Sequence, residues 1–345
     1  MKVLSLFDGM ACGMIAMQLA GMEVESYDAY EIDKYAVKTA QHNFPMIKEH
    51  GDVFGADFTQ YEGVDFLIGG SPCTYWSIAQ TKNRETVASG MGWELFSQYV
   101  RALHEAKPKY FIYENNKSMS KAIRASIDET FGFEAVLINS ALVSAQNRQR
   151  LYWVGKQNPD GTYSKVDVEQ PEDRGILLRD ILENGVAWQE KSYNLTTRCY
   201  EAIPEDTLKR HRHTMVAESV NITQDGKAQC LRATYYKDGI RNMVGNDVDR
   251  KTCVAEPVRN VGQVTGSKIY EVKDGLITIK GKQYPIKLQD GYYIIRKLTV
   301  RECMRLQTVP EWYEFPVSNS QAYKMLGNGW TVDVIAHILK GLKEA

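Results

Sequence analysis

The chain has 345 residues, of which 43% are hydrophobic and 25% charged, with a formal net charge of −1. That length can bury a large core and allows two lobes, and the composition is that of an ordinary soluble globular protein, with no apolar run long enough for a membrane span. Met1–Phe7 is too short an apolar stretch for a signal peptide. The six cysteines (12, 73, 199, 230, 253 and 303) include no Cys-x-x-Cys pair, which argues against a zinc site or disulfide framework and for a reducing, cytoplasmic setting.

In chain order, short apolar runs alternate with amphipathic stretches up to about residue 155, the pattern of an α/β domain. Strands are expected at Val3–Phe7, Val24–Tyr30, Phe66–Gly69, Tyr110–Tyr113 and Leu151–Gly155. Helices are expected between them at Met14–Ala20, Lys34–His42, Leu95–Ala106 and Ile123–Thr130. This order implies parallel strands joined by crossover helices. A loop at Asn158–Tyr163 precedes the helical stretch Ile176–Leu182. From about Ala187 polar residues dominate, and the pairs Asp225-Gly226, Asp238-Gly239, Asp274-Gly275 and Asp290-Gly291 suggest hairpin turns. Leu276–Lys280 and Tyr292–Ile295 have strand character, and helical sequence returns in Val300–Leu306 and Val332–Lys343.

Charge is unevenly distributed. Lys191–Arg305 holds 21 Lys and Arg against 13 Asp and Glu, so the remainder carries an excess of nine acids. One lobe that faces a polyanion would show this asymmetry, and so would a surface that is uneven by chance.

Several motifs stand at strand ends, where open α/β sheets bind ligands. Phe7-Asp8-Gly9-Met10-Ala11-Cys12-Gly13 follows the first strand, and its small residues let backbone approach a ligand. Glu31 follows the second strand and can bind ribose hydroxyls; Asp52 follows Gly51 after the next segment. Gly69-Gly70-Ser71-Pro72-Cys73 places a cysteine on a rigid proline just past a strand, the setting of a nucleophile. Glu114-Asn115-Asn116 ends another strand, and Gln146-x-Arg148-x-Arg150 leads into the last, with both arginines able to face one side.

Taken together, these motifs resemble those of the DNA cytosine-5 methyltransferases. Pro72-Cys73 matches the family's nucleophile, Glu114-Asn115 its Glu-Asn-Val element, and Gln146-x-Arg148-x-Arg150 its Gln-x-Arg-x-Arg element. Arg296-Lys297-Leu298-Thr299-x-Arg301-Glu302-x-x-Arg305-Leu306-Gln307 and Gln321-Ala322-Tyr323-Lys324-x-x-Gly327-Asn328 match the two motifs that follow. Five motifs in the family's order are strong grounds for the resemblance, which covers most of the chain except its middle.

The resemblance implies a Rossmann-like, mostly parallel methyltransferase sheet with helices on both faces, plus a smaller β-rich lobe. It divides the chain into a catalytic and cofactor-binding domain (1–186), a target-recognition domain (187–295), a hinge segment (296–316) and a C-terminal return (317–345). It implies attack of Cys73 on carbon 6 of a cytosine flipped out of duplex DNA, followed by methyl transfer to carbon 5. Glu114 would bind the ring nitrogen and exocyclic amine, Arg150 the base carbonyl, with Arg148 in the same catalytic group. The proton acceptor at carbon 5 is not named. Thr74–Trp93, with Lys82, Arg84, Gly90 and Gly92, suits a mobile loop closing over the base, or an ordinary surface loop.

The implied methyl donor is S-adenosyl-L-methionine, leaving S-adenosyl-L-homocysteine, without a metal. Its contacts fall on Phe7, Asp8, Gly9, Met10, Glu31, Ile32, Asp52, Val53, Pro72, Leu95, Asn328, Gly329 and Trp330. Within these, Phe7 would stack on adenine, Gly9 allow close approach, Glu31 take the ribose and Asp52 the adenine amine. Leu95 would line the adenine pocket and Asn328 the methionine end. Tyr323 and Met325 read equally as helix-packing residues. Candidate base readers in the middle lobe are Arg198, Arg232, Arg241 and Arg259, although most such arginines contact phosphate or solvent.

The chain also departs from the family's pattern. Ala11-Cys12-Gly13 replaces a Gly-Gly-x-x-x-Gly run and is nearer the animal de novo enzymes; Cys12 reads as a small packing residue. Asn116 stands where Val is usual, raising an altered donor or an already modified base, and Gly329-Trp330 replace Ser-Val, with Trp330 expected to fill the cofactor pocket. The expected partner is double-stranded DNA, bound by a monomer, with any cognate restriction endonuclease a separate protein. An inactive DNA-binding homologue and a transfer-RNA methyltransferase are the competing readings.

Overall fold

A computed structural model describes residues 1–78, 84–211, 213–220 and 268–344. The larger of its two sheets is built from β1 (Lys2–Leu6), β2 (Ser26–Tyr30), β3 (Lys48–Glu49), β4 (Phe66–Gly69), β5 (Tyr110–Asn116), β6 (Val136–Asn139), β7 (Gln149–Gln157) and β8 (Tyr163–Lys165). Their order is β3-β2-β1-β4-β5-β7-β6, with β8 paired to β7. β1 to β5 run parallel. After Lys2, β1 is buried on both faces, because helices cover the sheet on each side.

On one face, α1 (Cys12–Leu19), α2 (Lys34–Asn43) and the helix Val332–Glu344 pack with Val3, Tyr27 and Ala29. On the other, α3 (Met91–Ala106) and α4 (Lys121–Phe131) pack with Leu4, Leu6 and Leu67. Phe96 and Tyr99 of α3 and Ile123 and Ile127 of α4 are fully buried there. Each buried aliphatic or aromatic side chain of this size contributes about 1.5–3 kcal/mol. The amphipathic face of each helix therefore decides which side of the sheet it covers.

The sequence expectations hold for the parallel strands and their helices, with shifted ends. α1 starts at Cys12 because Ala11, at φ 60°, turns the chain straight into the helix. α3 starts at Met91, immediately after Gly90 at φ 82°. The parallel expectation fails at the last strand, since β7 is antiparallel to both β5 and β6. The nine residues 140–148 between β6 and β7 are too few for a crossover, so the chain must fold back. β6 itself was not anticipated.

The second sheet is antiparallel: β9 (Met215–Ser219), β10 (Ile269–Lys273), β11 (Leu276–Ile279), β12 (Lys282–Pro285) and β13 (Gly291–Lys297), in the order β12-β11-β10-β13-β9. Asp274 and Gly275 both have positive φ and close the β10–β11 hairpin, as their sequence suggested. Lys280 and Gly281 do the same between β11 and β12 without that sequence signal. Asp290-Gly291 closes no hairpin, because β13 pairs with β10 and β9 rather than with β12. Asp225-Gly226 and Asp238-Gly239 lie outside the described residues. Among the described residues no helix is long and apolar enough to cross a membrane.

Candidate active site

Everything of chemical interest gathers at the carboxyl ends of the parallel strands, beside β1, the strand from which the connections run outward in both directions. After β1, Phe7, Gly9 and Ala11 all take left-handed conformations, with φ of 58°, 64° and 60°. The Phe7 amide donates to Tyr30 O (2.9 Å), binding this turn to the end of β2. There Glu31 uses one carboxylate oxygen to accept from Gly9 N (2.9 Å) and the other to accept from the amides of Ile32 (2.8 Å) and Asp33 (2.7 Å). Glu31 therefore shapes the cradle as well as charging it. A β-carbon on Gly9 would meet nothing within 4 Å, so there is open space above the turn.

A second acid lies below this space. Asp8 Oδ1 accepts from Ser5 Oγ (2.5 Å) and Tyr27 OH (2.6 Å), while Oδ2 is buried without a hydrogen-bond partner. Burial pushes its carboxyl up to about 6; the Ser5 and Tyr27 hydrogen bonds act against this, and Glu31 adds to it. Ile32 is 77% exposed, and Phe54 is also exposed, beside exposed Asp52, whose Oδ1 caps the short helix Val53–Gly55. Open space, an orphaned acceptor and bare apolar side chains suit a ligand with a flat ring and hydrogen-bond donors. Val53 and Met10 are buried beneath this region and support it through packing.

The Cys73 turn is built on the next two strands. Pro72 is exposed and Cys73 half-buried at the start of the turn Cys73–Tyr75, whose backbone is closed by Trp76 N and Ser77 N donating to Cys73 O. Asn115, buried in β5, donates from Nδ2 to Ser71 O (3.1 Å) and Tyr113 OH (3.2 Å), and Ser71 Oγ shares a 2.6 Å hydrogen bond with Tyr113 OH. This network ties the Cys73 turn to the strand that carries Glu114. Glu114 is only 9% exposed; its Oε1 pairs with Arg150 Nε at 3.0 Å and its Oε2 accepts from Trp330 Nε1 at 2.8 Å. Gly70 must be glycine here, since a β-carbon would stand 2.6 Å from Glu114 O. The turn that carries a thiol is thus tied to the strand of a carboxylate held at both oxygens, one of them by a guanidinium.

A model of the C-5 cytosine-specific DNA methylase family matches residues 1–344. The chain belongs to this family, and it is a DNA cytosine-5 methyltransferase. Among its relatives are the orphan methyltransferase M.SPRI of Bacillus phage SPR, 26% identical over 99% of this chain and 97% of the relative. The type II methyltransferase M1.ScrFI of Lactococcus lactis subsp. cremoris is 28% identical over 99% of this chain and 78% of its own. The S. pombe Dnmt2 methyltransferase has the same fold, with a TM-score of 0.58 at 15% identity, covering 99% of this chain and 98% of that one.

Other expected site residues of the methyltransferase take different places. Arg148 precedes β7 and is buried; it makes five hydrogen bonds, from Nη1 to Asn194 Oδ1, Leu195 O and Gly327 O and from Nη2 to Gly327 O and Gly329 O. Burial, then the Arg150 charge, pushes its pKa down. These bonds make Arg148 the pin that holds the C-terminal return against the sheet. Gln146 works beside it, donating to Leu306 O and accepting from Leu195 N. Asn116 is buried with its amide bonded to Asn115 Oδ1 and Ser118 Oγ, so both its polar ends are engaged locally. Leu95 is half-buried on α3, and Asn328 is exposed at the end of the helix Asn319–Asn328; no hydrogen bond joins either to the acids.

The described part of the segment Thr74–Trp93 is pinned rather than free. Buried Trp76 donates to Glu85 Oε2 (3.0 Å), Glu85 Oε1 accepts from Gly92 N (3.1 Å), and Arg84 Nη2 donates to Ser118 O (2.6 Å). Lys82 lies outside the described residues, as do Arg232, Arg241 and Arg259; Arg198 is exposed.

Sequence reading missed two residues that the structure brings to the site, Tyr313 and Glu49, and gave a third, Trp330, a different contact. Tyr313 OH donates to Met10 O (2.6 Å) across 303 positions, steadying the cradle. Glu49, on β3, has both carboxylate oxygens buried without hydrogen-bond partners, and burial, then Asp8 and Glu31, pushes its carboxyl up to about 8. Trp330, expected in the cofactor pocket, sends its indole N–H to Glu114. Each depends on a long-range contact that no local motif encodes.

Proposed function

We propose that Cys73 is the nucleophile of this methyltransferase, that Glu114 and Arg150 hold the target cytosine, and that the methyl donor is S-adenosyl-L-methionine. The observation that carries this reading is the tie from the Cys73 turn through Ser71 and Asn115 to the strand of Glu114, whose carboxylate is paired with Arg150. When bound, the donor supplies an electrophilic methyl group on a sulfonium. Phe7, Gly9, Glu31 and Asp52 would bind its adenosyl part, and the orphaned Asp8 Oδ2 would face one of its donor groups.

The Cys73 thiolate forms a bond to carbon 6, and the ring's electron pair moves to carbon 5. As charge spreads through the ring, nitrogen 3, which is unprotonated in neutral cytosine, takes up a proton from solvent; Glu114 accepts hydrogen bonds from that N–H and from the exocyclic amine, while Arg150 donates to the base carbonyl. Carbon 5 would take the donor's methyl group, the sulfonium departing as S-adenosyl-L-homocysteine, and would then lose its own proton to a base while nitrogen 3 gives up its added one. The carbon 6–sulfur bond then breaks, returning the thiolate.

The division of labour follows the charge, with residues 187–295 reading duplex DNA and residues 1–186 and 317–345 carrying the chemistry. We read the enzyme as a cytoplasmic monomer that acts alone, any restriction endonuclease being a separate protein. The test is nucleoside mass spectrometry of mixed-sequence duplex DNA incubated with S-adenosyl-L-methionine and either the wild type or Cys73→Ala. New 5-methylcytosine that disappears in the variant is expected. Undiminished product in the variant would refute the assigned nucleophile, and product on transfer RNA alone would refute the substrate. Sedimentation with and without duplex checks the monomer.

A further inference from the structure

Trp330 lies between the two halves of the site. Its backbone neighbour Gly329 faces the cradle, where a β-carbon at 329 would stand 3.2 Å from Cys12 Sγ and 3.9 Å from Met10 Sδ. Its indole donates to Glu114 Oε2 at 2.8 Å. The backbone on either side is anchored. Gly329 O accepts from Arg148 Nη2 (2.7 Å) and Gln307 Nε2 (3.2 Å), and Gly329 N donates to Met325 O (2.7 Å). Thr331 Oγ1 donates to Gln307 Oε1 (3.0 Å), and Val332 N donates to Gln307 O (2.9 Å). An indole on so fixed a base presents its N–H at one place.

The other carboxylate oxygen is held by Arg150 Nε at 3.0 Å, and both partner side chains are 12% exposed. A carboxylate free to turn about its terminal torsion samples a broad range of angles. One gripped at each oxygen by a separate donor is fixed in plane, and each oxygen keeps a lone pair for a further donor.

We infer that Trp330 is a positioning residue for catalysis, its indole N–H and the Arg150 guanidinium together setting the plane of the Glu114 carboxylate before the cytosine arrives. The inference rests on the assignment of Glu114 to the base. It places the tryptophan's side chain in service of the base, while its backbone borders the cofactor cradle.

Two variants separate the N–H from the bulk. Trp330→Phe keeps an aromatic ring and loses the donor. Trp330→His loses the benzo ring, but its Nε2 occupies the ring position of the indole nitrogen and can donate. The single-turnover rate of methyl transfer from radiolabelled S-adenosyl-L-methionine to mixed-sequence duplex should fall about tenfold in Trp330→Phe, the loss expected for one hydrogen bond to a charged group. Affinity for the donor should stay within about twofold, since uniform binding is not what is lost. Trp330→His should recover most of the rate.

The same Phe substitution in a Glu114→Gln background should cost much less than in the wild type, because contacting residues are not additive. An equal loss in both backgrounds, a Trp330→His variant no better than Trp330→Phe, or a defect confined to donor affinity would each overturn the inference. A Glu114→Gln variant with wild-type rate would instead refute the assignment of Glu114 itself. If Trp330→Phe fails to fold, the rate of Trp330→His alone decides, and a loss of tenfold or more there counts against the inference.

Discussion

Arg148→Lys separates a pin from a catalyst. The native guanidinium donates along two short hydrogen bonds, 2.7 Å to Gly329 O and 3.0 Å to Asn194 Oδ1, and three longer ones of 3.3 Å to Leu195 O and Gly327 O. A lysine keeps the charge but carries three donors at one point instead of a planar fork, so it cannot reach carbonyls on both sides. Hydrogen bonds from a charged donor are worth about 1.5–3 kcal/mol each when well formed, and buried acceptors left unpaired cost a further ~1–3 kcal/mol. With the longer bonds weighted lightly, losing about half the set destabilises the fold by ~2–4 kcal/mol. That lowers Tm by roughly 3–6 °C for a chain of this size. Thermal unfolding and single-turnover methyl transfer, run on the same preparation, are the assays. The expected pattern is a lower Tm together with a loss of activity that is partly recovered on cooling. A variant with unchanged Tm and a rate reduced a hundredfold or more would show that Arg148 touches the reacting base, and the reasoning would fail.

Three further outcomes follow from the geometry. Glu49 has its pKa raised from 4.5 to about 8, so its neutral form stabilises the fold below about 4.5 and this contribution is lost as pH rises through 8. Glu49→Gln should therefore flatten the fall of Tm between pH 5 and 9, gaining about 1–2 kcal/mol at the alkaline end after allowance for the group's partial exposure; parallel curves for the two proteins would refute this. Gly70→Ala should keep its circular dichroism spectrum yet lose about a hundredfold in rate, because its β-carbon displaces Glu114. A folded, fully active variant would contradict that. Arg296→Met removes the guanidinium paired with Glu302 and Glu218, whose side chains are 0% and 5% exposed, and should cost about 3–5 kcal/mol in urea unfolding. An unchanged urea midpoint would mean the network is neutral.

The parallel half of the fold was legible because β1, β2, β4 and β5 are apolar runs separated by helices whose inner faces repeat every three or four residues. Glu31 and Cys73 stood out because each follows a strand end that periodicity reveals, and Glu114 because it adjoins the apolar run Tyr110–Tyr113, whereas Asp52 follows the two-residue β3, too short to show a period. What stayed hidden is relational. The direction of β7 depends on a nine-residue connection after a four-residue strand with an exposed Leu137, which carries little hydrophobic signal. The Lys280-Gly281 turn uses a lysine at φ 50°, a residue that rarely announces a left-handed position. Arg148 and Arg150, two residues apart, serve different tasks because one precedes the strand and meets carbonyls from residues 195, 327 and 329, while the other meets Glu114. No window of sequence around residue 148 contains those partners.

The pin at Arg148 also orders events during synthesis. Its acceptors at Gly327 and Gly329 leave the ribosome long after β1 to β8 have emerged, and α1 receives its covering helix, Val332–Glu344, later still. Until then the sheet's Arg148 lacks those acceptors, and α1 lacks the helix that packs against it. The growing polypeptide thus lacks the acceptors of Arg148 and the indole donor to Glu114 until residues 327–330 have emerged.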